Sequence, residues 1–210
     1  MSILELGWAT VHQYGDAWFK HHQLRHKVFI NRMNWDVPSA EGCEYDQYDT
    51  PASRYLLWVD HDQEVRGAVR LMPTTVPYMA RDMWPEMFVG EPPNSDDIWE
   101  ITRFCCDQDL EPDKRARVVT GIVEAIQIFG LKRKISNYVA VMPLSMFRMS
   151  IKPTGCAYEL IGPKLSIDGR PTGAARIPVS AKNRQRIRAV ALAHEIRARS
   201  RGHDPDKVPA

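Results

Sequence analysis

Two ions stand where a β-strand usually has none. In Trp99-Glu-Ile-Thr-Arg-Phe104, Glu100 and Arg103 interrupt a run that is otherwise apolar or small through Cys106, the pattern of a strand buried on both faces. A carboxylate in such a setting is the residue type that takes a proton from a reacting group. A guanidinium is the type that holds a carboxylate, a phosphate or a developing oxyanion. Three positions apart, the two side chains point to opposite faces unless the strand is bulged or bent between them; the plainer alternative is that each pairs with an ion elsewhere in the sheet. Further polar residues stand upstream: Arg25 in an amphipathic segment, Asp46 and Asp49 in a loop, and Arg70 inside Ala-Val-Arg-Leu-Met. Singly, these read as a solvated helix residue, two turn formers and a surface-facing strand residue, and Phe29 and Trp35 as core aromatics.

Elements are needed to hold these residues in place. Trp18, Phe19, Leu24, Val28 and Phe29 recur at helical spacing over residues 14–30, and Gly15-Asp16 offers a start, so an amphipathic helix carrying Arg25 is expected there. Residues 31–53, rich in turn formers yet holding Trp35, Tyr45 and Tyr48, read as a long ordered loop of the kind that carries function. Arg54–Asp60 and Glu64–Pro73, joined by His61-Asp-Gln63, form a β-hairpin that carries Arg70. Residues 74–98 are proline-rich loop or short helix, and Ile98–Cys106 is the buried strand itself. A helix over residues 113–131, built on Val118, Val119, Ile122, Ile126 and Phe129 and closed by Gly130, leads to a strand at Ile135–Met142, a strand–helix–strand unit that implies parallel pairing. Pro143–Lys152 reads as a short helix, Ala157–Ile161 and Lys164–Val179 as strands with a hairpin turn at Asp168-Gly169, and residues 181–201 as a basic amphipathic helix. Residues 1–202 thus form a single α/β domain around a mixed sheet, with 203–210 a frayed tail.

A chain of 210 residues, 44% hydrophobic and 26% charged, with its 15 Pro and 12 Gly scattered, is a globular chain and not a disordered, collagen-like or coiled-coil one. No window holds the roughly 18 apolar residues of a membrane span, and residues 1–16 have neither a basic leader nor an apolar core, so a cytoplasmic protein is expected. The four cysteines show no CxxC or Cys/His ligand spacing, and the adjacent His21 and His22 point to different helix faces, so reduced thiols and no metal site are expected. The net charge of +2 conceals an asymmetry: residues 36–113 hold 18 acidic and 5 basic side chains, residues 114–210 hold 6 and 19. Such a chain attracts partners of opposite sign at different faces, unless folding interleaves the two. The basic half lacks the aromatic series of a single-strand binder, so nucleic acid is not an expected partner.

Taken together, order and spacing resemble the acyl-homoserine-lactone synthases, the autoinducer synthases of bacterial quorum sensing. The matching stretches are Leu-Arg25-His-Lys-Val-Phe29, Met-Asn-Trp35, Glu-Tyr-Asp46-Gln-Tyr-Asp49, Val-Arg70-Leu-Met-Pro-Thr-Thr and Trp-Glu100-Ile-Thr-Arg103-Phe. The resemblance is strongest over residues 20–110, extends to about 180, and rests on eight positions in combination. It implies a fold like that of the GNAT N-acyltransferases, an α-β-α sandwich with a V-shaped opening between central strands. It further implies that the α-amine of S-adenosylmethionine attacks an acyl thioester, after which the carboxylate closes on its own γ-carbon and expels methylthioadenosine. S-adenosylmethionine is then a substrate, and no cofactor is expected. Arg25, Phe29, Trp35, Asp46, Asp49 and Arg70 would bind it, with an aromatic face near the sulfonium or adenine and Arg70 bidentate on its carboxylate. Glu100, or Asp46 and Asp49 nearer the loop, would be the general base, and Arg103 would steady the thioester carbonyl.

Acyl carrier protein is acidic, so Lys132, Arg133, Lys134, Arg148 and Lys152 would form its docking surface, and Arg115 and Arg117 would meet the pantetheine phosphate. Met142 and Phe104 would line the acyl tunnel. Met142 stands where the family often has a hydroxyl residue, so unsubstituted or long acyl chains are expected. Lys152-Pro153-Thr-Gly155 departs from the family's Arg-x-Gly. The rival is a GNAT acyltransferase using an acyl-CoA, but residues 107–117 lack that family's glycine-rich phosphate turn. Arg170-Pro-Thr-Gly173-Ala-Ala175 fits its letters only between strand segments, with no helix to follow. A non-catalytic binder would have lost Glu100 or Arg103.

Overall fold

The computed structural model describes residues 2–200. The strands are β1 (Ser2–Gly7), β2 (Ser39–Ala40), β3 (Cys43–Glu44), β4 (Arg54–Val59), β5 (Val65–Pro73), β6 (Ile98–Cys106), β7 (Asn137–Pro143), β8 (Glu159–Leu160), β9 (Leu165–Ile167) and β10 (Arg170–Pro178). The helices are α1 (Gly15–Arg25), α2 (Met79–Met83), α3 (Pro112–Arg133), α4 (Leu144–Met146) and α5 (Ala181–Ser200). The main sheet runs β1-β4-β5-β6-β7-β10-β8, with β9 also on β10. Core clusters lie on both faces, one against α3 (Leu71, Ile101, Ile122, Ile126) and another against α1 (Leu24, Phe29, Leu57, Ala68), which is the α-β-α arrangement anticipated. Among the described residues no helix is long and apolar enough to cross a membrane; the tail expected at 203–210 lies outside them.

Two irregularities in β6 create the site. Its parallel pairing with β7 runs only from Ile98 opposite Asn137 to Glu100 opposite Val139. Past that seam the strands part and the sheet opens as a V. On its other side, β6 pairs Thr102 with Arg70 but Cys105 with Ala68, so Arg103 and Phe104 together face Val69. This is a β-bulge, and Arg103 takes the left-handed conformation, φ 50°, that such bulges use. The extra residue resolves the parity problem: Arg103 joins Glu100 and Thr102 on the α1 face, while Phe104 turns into the α3 core.

Some local expectations change. Ser2–Gly7 pairs with β4 as an edge strand, with Leu4 and Leu6 inward and Ile3 and Glu5 outward; its six residues are too short for alternation to stand out. The first helix ends at Arg25 and continues through His26–Arg32 as a wider π turn, a departure common at functional sites; it brings Phe29 onto Trp35. The expected strand at Ala157–Ile161 shrinks to Glu159–Leu160. Asp168-Gly169 does turn the β9–β10 hairpin, both at positive φ. Gly130 does not close α3, which runs on to Arg133 and is capped by a left-handed Lys134.

Gly121 carries the closest approach between α3 and the sheet: a Cβ there would lie 1.8 Å from the Trp58 ring. Alanine is the better helix former by about 1 kcal/mol, yet overpacking costs about 1–3 kcal/mol. Gly121→Ala is therefore expected to lower stability. A denaturation midpoint equal to or above that of the unsubstituted protein would contradict this packing.

Candidate active site

Three guanidiniums and three carboxylates close on one another beside the opening. Arg25 on α1 gives Nε to Glu44 Oε2 at 2.5 Å and its two terminal nitrogens to Asp49 at 2.7 and 2.8 Å. Arg70 on β5 reaches Thr102 Oγ1 at 3.0 Å, both oxygens of Asp46 at 2.5 and 3.0 Å, and Asp49 at 2.9 Å. Arg103 gives Nε to Glu44 Oε1 at 3.0 Å and Nη2 to Asp46 Oδ2 at 2.6 Å. Asp49 also accepts from Tyr55 and from the backbone N–H of Asp46. All six side chains are buried, so the network persists only because every charge is matched. Burial acts to raise the Asp46 and Asp49 carboxyls, but Arg70 and Arg103 beside the first, and Arg25 and Arg70 beside the second, hold both below the usual carboxylate range.

One side of this network faces a cavity of about 490 Å³ in the V. Asp46 and Arg103 reach its wall, as do Phe29 and Trp35, stacked with centroids 4.9 Å apart and planes 10° from parallel. Arg103 sits 5.6 Å over the Phe29 ring. The lining also holds an apolar group, Phe104, Val141, Met142 and Met146, together with Asp168, Arg170 and Thr172. Phe104 and Met142 separate the cavity from a small void under α3 lined by Val123, Ile126 and Ile177. Arg25, Asp49 and Arg70 are not on the wall but behind it. The bidentate role anticipated for Arg70 is corrected accordingly: fully buried, it spends its donors on Asp46, Asp49 and Thr102.

Glu100 differs from the other carboxylates. It is fully buried, and its oxygens accept the backbone N–H groups of Ala80 at 2.6 Å and Met79 at 3.2 Å, the first turn of α2. Burial pushes its pKa up to about 7 against those bonds and the attraction of Arg70. It meets the cavity through Met79, which lines the wall and whose sulfur accepts from Arg103 at 3.2 Å. Glu44 is the functional residue the sequence reading passed over. It bridges Arg25 and Arg103, but nothing in the local pattern Glu41-Gly-Cys-Glu44 marks it out. The signal available was its place two residues before Asp46 in a matching stretch.

The basic residues do not form one face. Lys132, Arg133 and Lys134 end α3, beside the start of β7, and Arg133 pairs with Glu5 on β1. Arg148 and Lys152 follow the other end of β7, beyond Pro143, about 20 Å away at 3.3 Å per residue. Only this second pair, both exposed, is on the side of the opening. The five residues expected to form one docking surface therefore do not lie together, and only Arg148 and Lys152 are beside the opening. Next to the cavity, and sharing Phe104, Met146 and Arg170 with it, runs a groove of about 1090 Å³ that also holds Arg32, Arg115 and Arg197. Arg117 faces a different groove, with Glu124 and Arg188, and cannot join Arg115 on a phosphate. A trio of possible metal donors, Asp60, His61 and Asp62, lies on the β4–β5 turn, where Asp60 already holds Arg66.

Comparison with known proteins agrees with this geometry. Residues 13–187 match the family described as autoinducer synthase. An acyl-homoserine-lactone synthase of Pseudomonas chlororaphis is 41% identical over 144 residues, covering 67% of this chain and 69% of that one. The crystal structure of the AHL synthase LasI superposes with a TM-score of 0.77 at 27% identity, over 90% of this chain and 95% of that one. A CoA-dependent acyl-homoserine lactone synthase, BjaI, solved with SAM and isopentyl-CoA, has the same fold, with a TM-score of 0.80 at 24% identity over 92% and 89% of the two chains. With the split sheet, the bulged strand and the ionic network beside them, these likenesses place the chain in the autoinducer synthase family, among the acyl-homoserine-lactone synthases, which are acyltransferases.

Proposed function

We propose that this protein makes an N-acyl-homoserine lactone from S-adenosylmethionine and an acyl thioester, releasing methylthioadenosine, in the cytoplasm where both substrates are made. The observation that carries this reading is a single cavity lined both by a charged, aromatic group, Phe29, Trp35, Asp46 and Arg103, and by an apolar one, Phe104, Val141, Met142 and Met146. The Phe29–Trp35 stack takes the adenine or the sulfonium, and Asp46 draws the cationic end of the same substrate. Arg25, Asp49 and Arg70 act from behind, holding Asp46 and its neighbours in place. Glu100, its pKa near 7, accepts the proton of the α-ammonium through water, whereas Asp46 and Asp49 are too strongly paired to serve as the base. The amine attacks the thioester carbonyl, Arg103 steadies the oxyanion, and the thiol leaves. The carboxylate oxygen then bonds to the γ-carbon as the carbon–sulfur bond breaks, giving a neutral lactone and methylthioadenosine. The test is methylthioadenosine release from purified protein across a panel of acyl lengths; no release with any donor would end this reading.

The preferred donor is acyl carrier protein, with the pantetheine phosphate in the groove of Arg32, Arg115, Arg170 and Arg197 and the carrier against Arg148 and Lys152. Charge reversal at Arg148 and Lys152 is expected to raise KM for the carrier about 10-fold at low salt, as added salt does, because exposed attraction is screened beyond about 8 Å at physiological ionic strength. The same reversal at Lys132 and Lys134 is expected to change little. The second reading is a coenzyme A thioester as donor, favoured by the CoA-dependent neighbour and by the four guanidiniums of that groove; a salt-insensitive KM for the carrier with faster turnover of the coenzyme A thioester would select it.

Met142, in the apolar group of the lining, offers only a thioether to the acyl chain. An unsubstituted acyl chain is its best fit. Met142→Thr is expected to shift products toward 3-oxo chains, by a modest factor since one group in an apolar pocket is worth about 1–3 kcal/mol. An unchanged product profile by mass spectrometry would remove Met142 from the tunnel.

A further inference from the structure

Among the described residues, the buried side-chain nitrogens without a hydrogen-bond partner are Nδ1 and Nε2 of His21 and Nε2 of His22. These histidines, expected on different helix faces, are both fully buried, with ring centroids 3.9 Å apart. Trp18, Tyr45 and Tyr55 enclose the His22 ring. Burial, with Arg25 adding to it, keeps both imidazoles neutral; the pKa of His22 is lowered to about 4 and that of His21 falls well below its ordinary value. The unpartnered Nε2 of His22 costs stability in the interior that an apolar side chain of similar size would not. Stability therefore does not account for His22.

The one bond His22 makes points to another role. Its Nδ1 lies 2.8 Å from the carbonyl oxygen of Glu44; a carbonyl only accepts, so Nδ1 carries the proton. Three residues later on the same helix face, Arg25 holds the carboxylate of that same Glu44. α1 thus grips Glu44 at two points, and the remaining carboxylate oxygen, Oε1, receives Arg103. The His22 ring also stacks on Tyr45, 3.8 Å between centroids and 28° from parallel. Tyr45 is the residue between the two carboxylates that hold Arg103.

We propose that His22, donating from Nδ1, is a positioning residue for the acyl transfer: it fixes the Glu44–Asp46 segment and, through it, the direction in which the Arg103 guanidinium enters the cavity. The proposal rests on the acyltransferase reading above.

The test compares His22→Leu with His22→Asn by methylthioadenosine release and by denaturation. Asn places its amide nitrogen the same number of bonds from Cα as Nδ1, so it restores the donor; Leu fills the space without one. His22→Leu is expected to lose about 10-fold in kcat with KM for S-adenosylmethionine changed by less than about 3-fold and an equal or higher denaturation midpoint, and His22→Asn to recover most of the loss. A Leu variant with the kcat of the unsubstituted protein, or an Asn variant as slow as the Leu one, would overturn the proposal. Should the Leu variant fail to fold, Asn against Gln decides, since Gln sets its nitrogen one bond further out: Asn faster than Gln supports the proposal, and equal rates overturn it. Absence of release from the unsubstituted protein would sink the acyltransferase reading and this inference with it; slow variants of an active protein speak to His22 alone.

Discussion

Arg103→Met is expected to lower kcat by about 10²-fold or more, the loss seen when a preorganised donor to a developing oxyanion is removed. Arg103 is the one guanidinium of the network that lines the cavity, and its left-handed backbone at the bulge aims it there. Removing Arg103 leaves three carboxylates against two guanidiniums and costs stability as well, but Glu44 keeps Arg25 and Asp46 keeps Arg70 as partners, so kcat is compared on protein shown to be folded. Near-wild-type kcat, measured by methylthioadenosine release on protein with unchanged circular dichroism, would take Arg103 out of the chemistry. A rise in KM alone would make it a binding residue.

Asp49→Asn carries the largest expected effect on stability. Asp49 joins Arg25, Arg70, Tyr55 and the Asp46 backbone, and neutralising it turns a balanced set into three buried cations against two carboxylates. Removing one partner from a buried ionic set costs about 3–5 kcal/mol, a large share of the 5–15 kcal/mol that holds a typical domain. Urea unfolding at neutral pH measures it, and a loss under about 1 kcal/mol would show that the network does not hold the fold. The pH dependence has two parts of opposite sign. Asp46 and Asp49 are held below their ordinary 3.8, so their contribution is present above that value and lost as pH falls through the folded pKa values; Asp49→Asn should flatten that acid limb. Glu100 is raised from 4.5 to about 7, so its contribution is present below 4.5 and lost as pH rises toward 7.

What the sequence made legible was what repeats or stands out locally. The branched and aromatic run of β4 with the return strand β5, the helical spacing of α3 and the Asp168-Gly169 turn each stand within a window of a few residues. Two ions in an apolar strand drew attention to Glu100 and Arg103, and the bulge that reconciles their faces was a stated condition. The partners of those ions were not legible in the same way. Whether Arg70 meets a substrate or Asp46 and Asp49 depends on how a loop from residues 31–53 folds over β5, which no periodicity encodes. Summed charge marks the C-terminal half as basic, but α3 and β7 carry its lysines and arginines to opposite ends of the sheet. Glu44 and His22 were hidden for a related reason: each acts through a contact some 20 residues away along the chain.

The seam of three residue pairs between β6 and β7 also divides the protein by inheritance. Every member of the ionic network, from Arg25 to Arg103, is encoded before α3, on or against the first half-sheet. Val141, Met142 and Met146 of the apolar group are encoded after it. With Met142 bounding the acyl chain as proposed, substitutions at these three positions retune which signal is made while leaving the ionic network untouched. A lineage can in this way change its chemical dialect by altering one stretch of the gene, with little demand on the stretch that makes it able to speak.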